Sequence, residues 1–343
     1  MCKTLDYSFI QRGGSRFDLL KFVLAMFIVA MHSRLFPTWL LPLPRLAVPL
    51  FFIMTSYFFH VKLNEASSSG ERQTRLLKYV KRNLQLYLFW SIALLPIIVV
   101  LHVDWFRHGV SYAVLCILKS VFVTGFFGAS WFILGSVYAV LIVYFLSRWL
   151  NNGWLLLIAL IVYILALLDT NYGGLLSPVA QERLSSLNIR WSLNLPAALV
   201  WVVIGKMLAD RPLFIKFDYL YLLIALTAIA YYGEYLLVNS QGWSIHNDCY
   251  VMSMPLCTLI FVAMGQSKDL KCKCSLWMRK TSIIVYCLHL SFIRLLQLVC
   301  AHSNLNLPNV AIYAITLILS LSIASGIIYL SEKKSIKLLK RAY

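Results

Sequence analysis

Ten apolar runs, each about twenty residues long, recur from one end of the chain to the other, at 17–36, 44–61, 83–102, 130–149, 154–170, 191–209, 218–238, 247–265, 282–301 and 309–330. A helix of that length crosses the hydrocarbon core of a bilayer, where backbone N–H and C=O groups find partners only within the helix itself. The expected fold is therefore all-α, a polytopic membrane protein with about ten transmembrane helices. Of 343 residues, 61% are hydrophobic and 13% charged, which excludes an ordinary soluble domain. One further stretch, Ser111 to Gly128, is interrupted by Lys119, Gly125 and Gly128. It reads as a helix at the interface or inside the bundle, or as an eleventh span.

The basic residues test this count. With the N-terminus in the cytoplasm, 23 of the 31 lysines and arginines fall on the inner side and six on the outer, while Lys21 and Arg294 lie within spans. That asymmetry is the positive-inside pattern, and it predicts an even number of spans with both termini cytoplasmic. The net charge of +18 is then mostly topology and argues against nucleic acid as a partner. No soluble domain can be cut from the chain, so residues 1–343 read as a single integral-membrane domain. No cleavable signal peptide is visible, since the first apolar run is long enough to span. The eight cysteines lie in apolar runs or on the reducing side, which predicts no structural disulfide. No metal site is expected: Cys272 and Cys274 lack a second pair or a nearby histidine. His246, Asn247 and Asp248 point in three directions, with Asn247 or Asp248 expected as a helix N-cap.

Ionisable groups inside an apolar run need a reason. The first run holds Lys21 and His32, eleven residues apart, an offset of roughly 16 Å along a helix. A cation near one face and a titratable base beyond the midplane thus share one helix. Arg16 and Asp18 sit at its inner end. The second run is preceded by Arg45, whose planar fork of donors suits a carboxylate, a phosphate or a developing oxyanion. Between the second and third runs, Arg75, Lys78 and Arg82 are spaced to share one helical face. Such a face is either a snorkelling collar that fixes topology or a phosphate site. His289 and Arg294 lie in the ninth run on different faces, and Asp169 or Glu234 could partner Arg294 or Arg45.

These residues carry a family resemblance. Arg16-Phe-Asp18-Leu-Leu-Lys21, ten residues and His32, then Arg45-Leu-Ala-Val-Pro49-Leu-Phe51-Phe52-Ile-Met-Thr55-Ser56-Tyr57-Phe58, resemble the start of the integral-membrane acyltransferases of family 3. Trp131-Phe132-Ile-Leu134 and Ser282-x-x-x-Tyr286-x-x-His289 are similar to further positions of that family. Two departures stand out. Ser56 replaces the glycine usual before the aromatic residue, and Ser136 stands where one branch of the family has a glutamate.

The resemblance implies a multi-pass O-acetyltransferase of a bacterial inner membrane. It would carry an acyl group, usually acetyl, from cytoplasmic acetyl-CoA to a hydroxyl of a cell-envelope carbohydrate or lipid-linked acceptor. His32 is the expected base, because a neutral imidazole can take the proton of an attacking hydroxyl. Lys21, Arg16, Arg75, Lys78 and Arg82 are expected at the donor, and Arg45 and His289 at the acceptor or oxyanion. The competing reading is a transporter or flippase for a small polar or lipid-linked molecule, with Lys21, His32 and Arg294 along its path. The oligomeric state is not readable from sequence.

Overall fold

The computed structural model describes residues 14–186, 191–333 and 336–343. Lys3, Arg12, Arg190 and Lys334, which enter the charge asymmetry, and Cys2 lie outside them. The described residues are helical, with no strand among them. The main helices are α1 (Ser15–His32), α2 (Ala47–Asn64), α3 (Ser69–Ala93), α4 (Leu95–Leu101), α5 (Val110–Lys119), α6 (Trp131–Leu146), α7 (Asn152–Asp169), α8 (Pro178–Ser186), α9 (Asn194–Asp210), α10 (Phe217–Ser240), α11 (Ser253–Gln266), α12 (Ser275–His302) and α13 (Asn309–Lys333).

Every apolar run falls on a helix, but the helices are unequal. Among the described residues, five stretches are long and apolar enough to cross a membrane: Thr38–Asn64, α7, α10, α12 and α13. A sixth is α3 joined to α4, bent by 63° where they meet. Pro96, in the first turn of α4, explains the bend, because proline has no N–H to donate and its ring crowds the preceding turn. The other runs are shorter or charged. α6 has 16 residues and α11 has 14, whereas α1 carries Arg16, Asp18 and Lys21 within its first two turns. The stretch from Val110 continues through a π-helical segment to Thr124 and is apolar but short. Val110, Leu115 and Phe122 are exposed along it, so it is not packed inside a bundle.

The chain divides into two compact units, each assembled from three separated segments. Of the described residues, the first contains 14–17, Val48–Leu77, and 135–186 with 191–271. Its core includes Phe52, Ile53, Tyr163, Val200 and Trp201, all buried. Here α2 and α9 pack so closely that a Cβ on Gly205 would stand 2.7 Å from the Ile53 carbonyl oxygen and from Ser56 Cβ. Ser56, the residue in place of a glycine, is fully buried and donates its hydroxyl to the Val202 carbonyl at 2.6 Å. The close approach is thus kept by a glycine on the facing helix, as small residues permit in membrane bundles.

The α11 N-terminus corrects one expectation. Neither Asn247 nor Asp248 caps it. Glu234 of α10 instead accepts the backbone N–H groups of Val251 and Met252 at 2.7 and 2.8 Å, together with the Tyr172 hydroxyl at 2.6 Å. A carboxylate satisfies the orphan donors ahead of a helix and complements its dipole. Asn247 Oδ1 is occupied by Asn239, Ser244 and Tyr250.

The second unit contains Asp18–Ala47, Lys78–Leu134 and Cys272–Tyr343. It holds most of α1, the long part of α3, α12 and α13. The closing turn Lys337–Ala342 packs into this unit, where Trp90 Nε1 donates to the Ala342 carbonyl at 3.0 Å and Lys280 pairs with Glu332.

Candidate active site

Within the second unit, α1 and α12 lie side by side, parallel and in register. Near their N-termini the Ser275 hydroxyl donates to Asp18 Oδ2 at 2.5 Å, and Phe22 meets Trp277 with ring centroids 5.7 Å apart. Further along, the imidazoles of His32 and His289 stand 5.2 Å apart, tilted by 36°. The first and last of these pairs join residues 257 positions apart in the chain, which fixes the register.

Two polar levels result. At the lower level Lys21 lies within Coulombic reach of Asp18, Arg82 and Arg279. Asp18 is buried and held by Ser275, while Arg82 and Arg279 are exposed. Three cations around one carboxylate leave an excess of positive charge, open on the side of the two arginines. Lys78 is one turn before Arg82 on α3 and also exposed. Arg279 was counted in the sequence only as a topology signal. Its own pattern could have found it, because α12 repeats the order of α1, a cation followed about three turns later by a histidine: ten positions from Arg279 to His289, eleven from Lys21 to His32.

At the upper level His32 is half-buried and His289 fully buried. Nδ1 of His289 lies 2.7 Å from the Tyr286 carbonyl oxygen, which can only accept, so Nδ1 carries the proton. Nε2 of that ring has no hydrogen-bond partner among the described residues. What sets this imidazole apart is its neighbour: with its tautomer fixed and Nε2 free to accept, it stands beside the second imidazole of His32. Arg45, at the end of a short helical turn, and Arg294 both act on His32 by charge. The Tyr286 ring lies 5.6 Å from His289 and 5.5 Å from Phe132, which in turn lies 6.5 Å from Trp131. The two motif segments of the fourth and ninth runs therefore converge on the histidine pair.

Two expected donor contacts lie elsewhere. Arg16 belongs to the first unit and is 1% exposed; its guanidinium donates to the Ser267 carbonyl and, at 3.0 Å, to the Gly265 carbonyl. There it satisfies the open carbonyls at the end of α11, where a cation also suits the helix dipole. Arg75 donates to Glu71 at 2.5 and 3.1 Å and to the Lys62 carbonyl, and stands 3.5 Å from Glu65. Its fork is spent on closing the α2–α3 turn. Glu234, proposed above as a partner for an intramembrane arginine, is occupied as the cap of α11.

A hydroxyl held against the histidine pair would meet a base, with Arg45 and Arg294 acting on that level by charge and a second cationic cluster further along the two helices. No curated protein and no solved structure matches the chain significantly. A family model described as an acyltransferase domain matches residues 15–329, nearly the whole chain and both polar levels. The chain is thus a member of acyltransferase family 3, a membrane acyltransferase.

Proposed function

We propose that this acyltransferase moves an acyl group, acetyl by default, from acetyl-CoA to a hydroxyl of a cell-envelope carbohydrate or related lipid-linked acceptor. In this reading the chain crosses a bacterial inner membrane ten times with both termini in the cytoplasm, and the two-level arrangement of α1 and α12 carries the argument. The open cations Lys78, Arg82 and Arg279, with Lys21 behind them, receive the phosphates of the coenzyme. The pantetheine arm then reaches along the helices, over roughly 16 Å, toward His32.

His32 takes the proton of the acceptor hydroxyl as its oxygen attacks the thioester carbonyl. Negative charge gathers on the carbonyl oxygen beside Arg45. Collapse breaks the C–S bond, and the leaving thiolate recovers the proton from the imidazolium. His289 backs the base, with Nε2 as an acceptor for a hydroxyl hydrogen of the acceptor molecule. Arg16 and Arg75 take no part, because their guanidinium groups are committed to backbone and carboxylate partners.

The test is acetyl-CoA turnover by the purified protein in nanodiscs, comparing wild type with His32→Ala and Lys21→Ala at matched folding. The expected result is turnover by wild type, its loss in His32→Ala, and weakened coenzyme binding in Lys21→Ala. A well-folded wild type that binds no coenzyme A would end this reading and turn attention to transport, with Arg294 and His32 as the first targets.

A further inference from the structure

The first unit holds a cavity of about 800 Å³ that is not part of the two-level site. That volume is within the range of small-molecule pockets. Its walls come from the turn before α7, the first residues of α7, the last turns of α9 and Thr258 of α11. The lining divides by chemistry. Asn152, Lys206 and Arg211 form a polar part, and Leu150, Leu156 and Leu213 belong to an apolar part.

The polar part is built. Lys206 Nζ donates to Asn152 Oδ1 at 2.8 Å and to Asp210 Oδ2 at 2.5 Å. Asp210 also accepts from Asn152 at 2.9 Å and from Asn64 at 3.0 Å. This network fixes the lysine and neutralises its charge, yet an ammonium has three N–H groups and only two are used. Arg211 follows directly, exposed, and its guanidinium has no carboxylate partner among the described residues. Asp210 stands behind Lys206 and Asn152 and is outside the lining itself, so the uncompensated charge at this end is that of Arg211. The same wall includes the start of α7, where Asn151 Oδ1 already accepts the N–H groups of Gly153 and Trp154 at 2.9 and 3.1 Å, so this end contributes its dipole and not free donors.

A net positive, donor-rich end beside leucines selects an amphiphile with an anionic head. We propose that this cavity binds an anionic phospholipid, with its phosphate diester on Arg211 and Lys206 and an acyl chain along Leu150, Leu156 and Leu213. A zwitterionic choline head would bring its own cation against Arg211 and is disfavoured. Free phosphate shares the head-group chemistry but leaves the leucines unused. The proposal stands independently of acyl transfer.

The experiment is native mass spectrometry of the full chain after delipidation, titrated with phosphatidylglycerol, phosphatidylcholine or inorganic phosphate. Wild type should retain one phosphatidylglycerol in preference to phosphatidylcholine. Arg211→Ala, a change at an exposed position, should lower that retention about fivefold, the share of one arginine at a membrane face. Leu156→Trp, which fills the apolar part, should lower it while leaving Arg211 in place. Equal retention of the two lipids by wild type would overturn the proposal, as would unchanged retention in both variants. Displacement of phosphatidylglycerol by inorganic phosphate at equal concentration would assign the site to the free ion and overturn it as well.

Discussion

The two units use the same residue types to opposite ends. In the first, two carboxylates are saturated: Asp210 accepts from Asn64, Asn152 and Lys206, and Glu234 accepts from Tyr172, Val251 and Met252. In the second, Lys21, Arg82 and Arg279 share one buried carboxylate, and the charges on His32 from Arg45 and Arg294 are both positive. A balanced polar node holds helices together, whereas an unbalanced one is held in place by the fold and waits for a ligand. A charged residue's presence in an apolar run says little by itself; how completely its partners answer it says much more.

The sharpest break between the units is a pair of buried histidines. His289 and His60 are both buried, each with Nδ1 on a backbone carbonyl oxygen and Nε2 without a partner. His289→Gln should cut acyl transfer about tenfold to a hundredfold with coenzyme binding retained, because the acceptor that orients the attacking molecule against His32 is lost. His60→Gln, in the first unit, should leave turnover per folded molecule unchanged. Equal effects in a rate assay would erase the distinction drawn here.

Asp210→Ala comes next. It strands Lys206 and two amides, and should cost about 2 kcal/mol in stability, read as a lower thermal midpoint, with KM for the donor unmoved. Arg279→Ala should do the reverse: the midpoint holds while KM for acetyl-CoA rises about tenfold, or about 1.4 kcal/mol. The smallest effect on catalysis belongs to Gly205→Ala, where the new methyl meets backbone and Ser56 Cβ at 2.7 Å. Neither atom can swing aside, so about 3 kcal/mol of overpacking strain should appear in a denaturation curve, and kcat should not change.

Much of this was legible in the sequence. Every apolar run lies on helix, and the spacing from Lys21 to His32 sets how far apart the two polar levels stand along α1, because helical rise is the same in any context. The helices' true lengths were not legible, since a run of hydropathy does not show where a short helix such as α11 stops. The fate of the arginines was hidden for a related reason. Arg16, Arg75 and Arg82 look alike on a helical wheel, and only the carbonyls of α11 and the carboxylate of Glu71 separate the first two from the third. Arg279 was within reach of sequence reasoning but was absorbed into the count of cytoplasmic charge. Glu234 as a cap was beyond it, because the two partners meet through the fold of α10 against α11.

The register of α1 and α12 also sets a clock. His32 and His289 lie 257 residues apart. At ordinary synthesis rates, His289 is made on the order of tens of seconds after His32. Through that interval α1 has Lys21 and His32 without the partners that α12 will bring, so the young chain has no assembled site. Activity therefore arrives late in biogenesis, and any truncation before α12 should yield a membrane-inserted but inert protein.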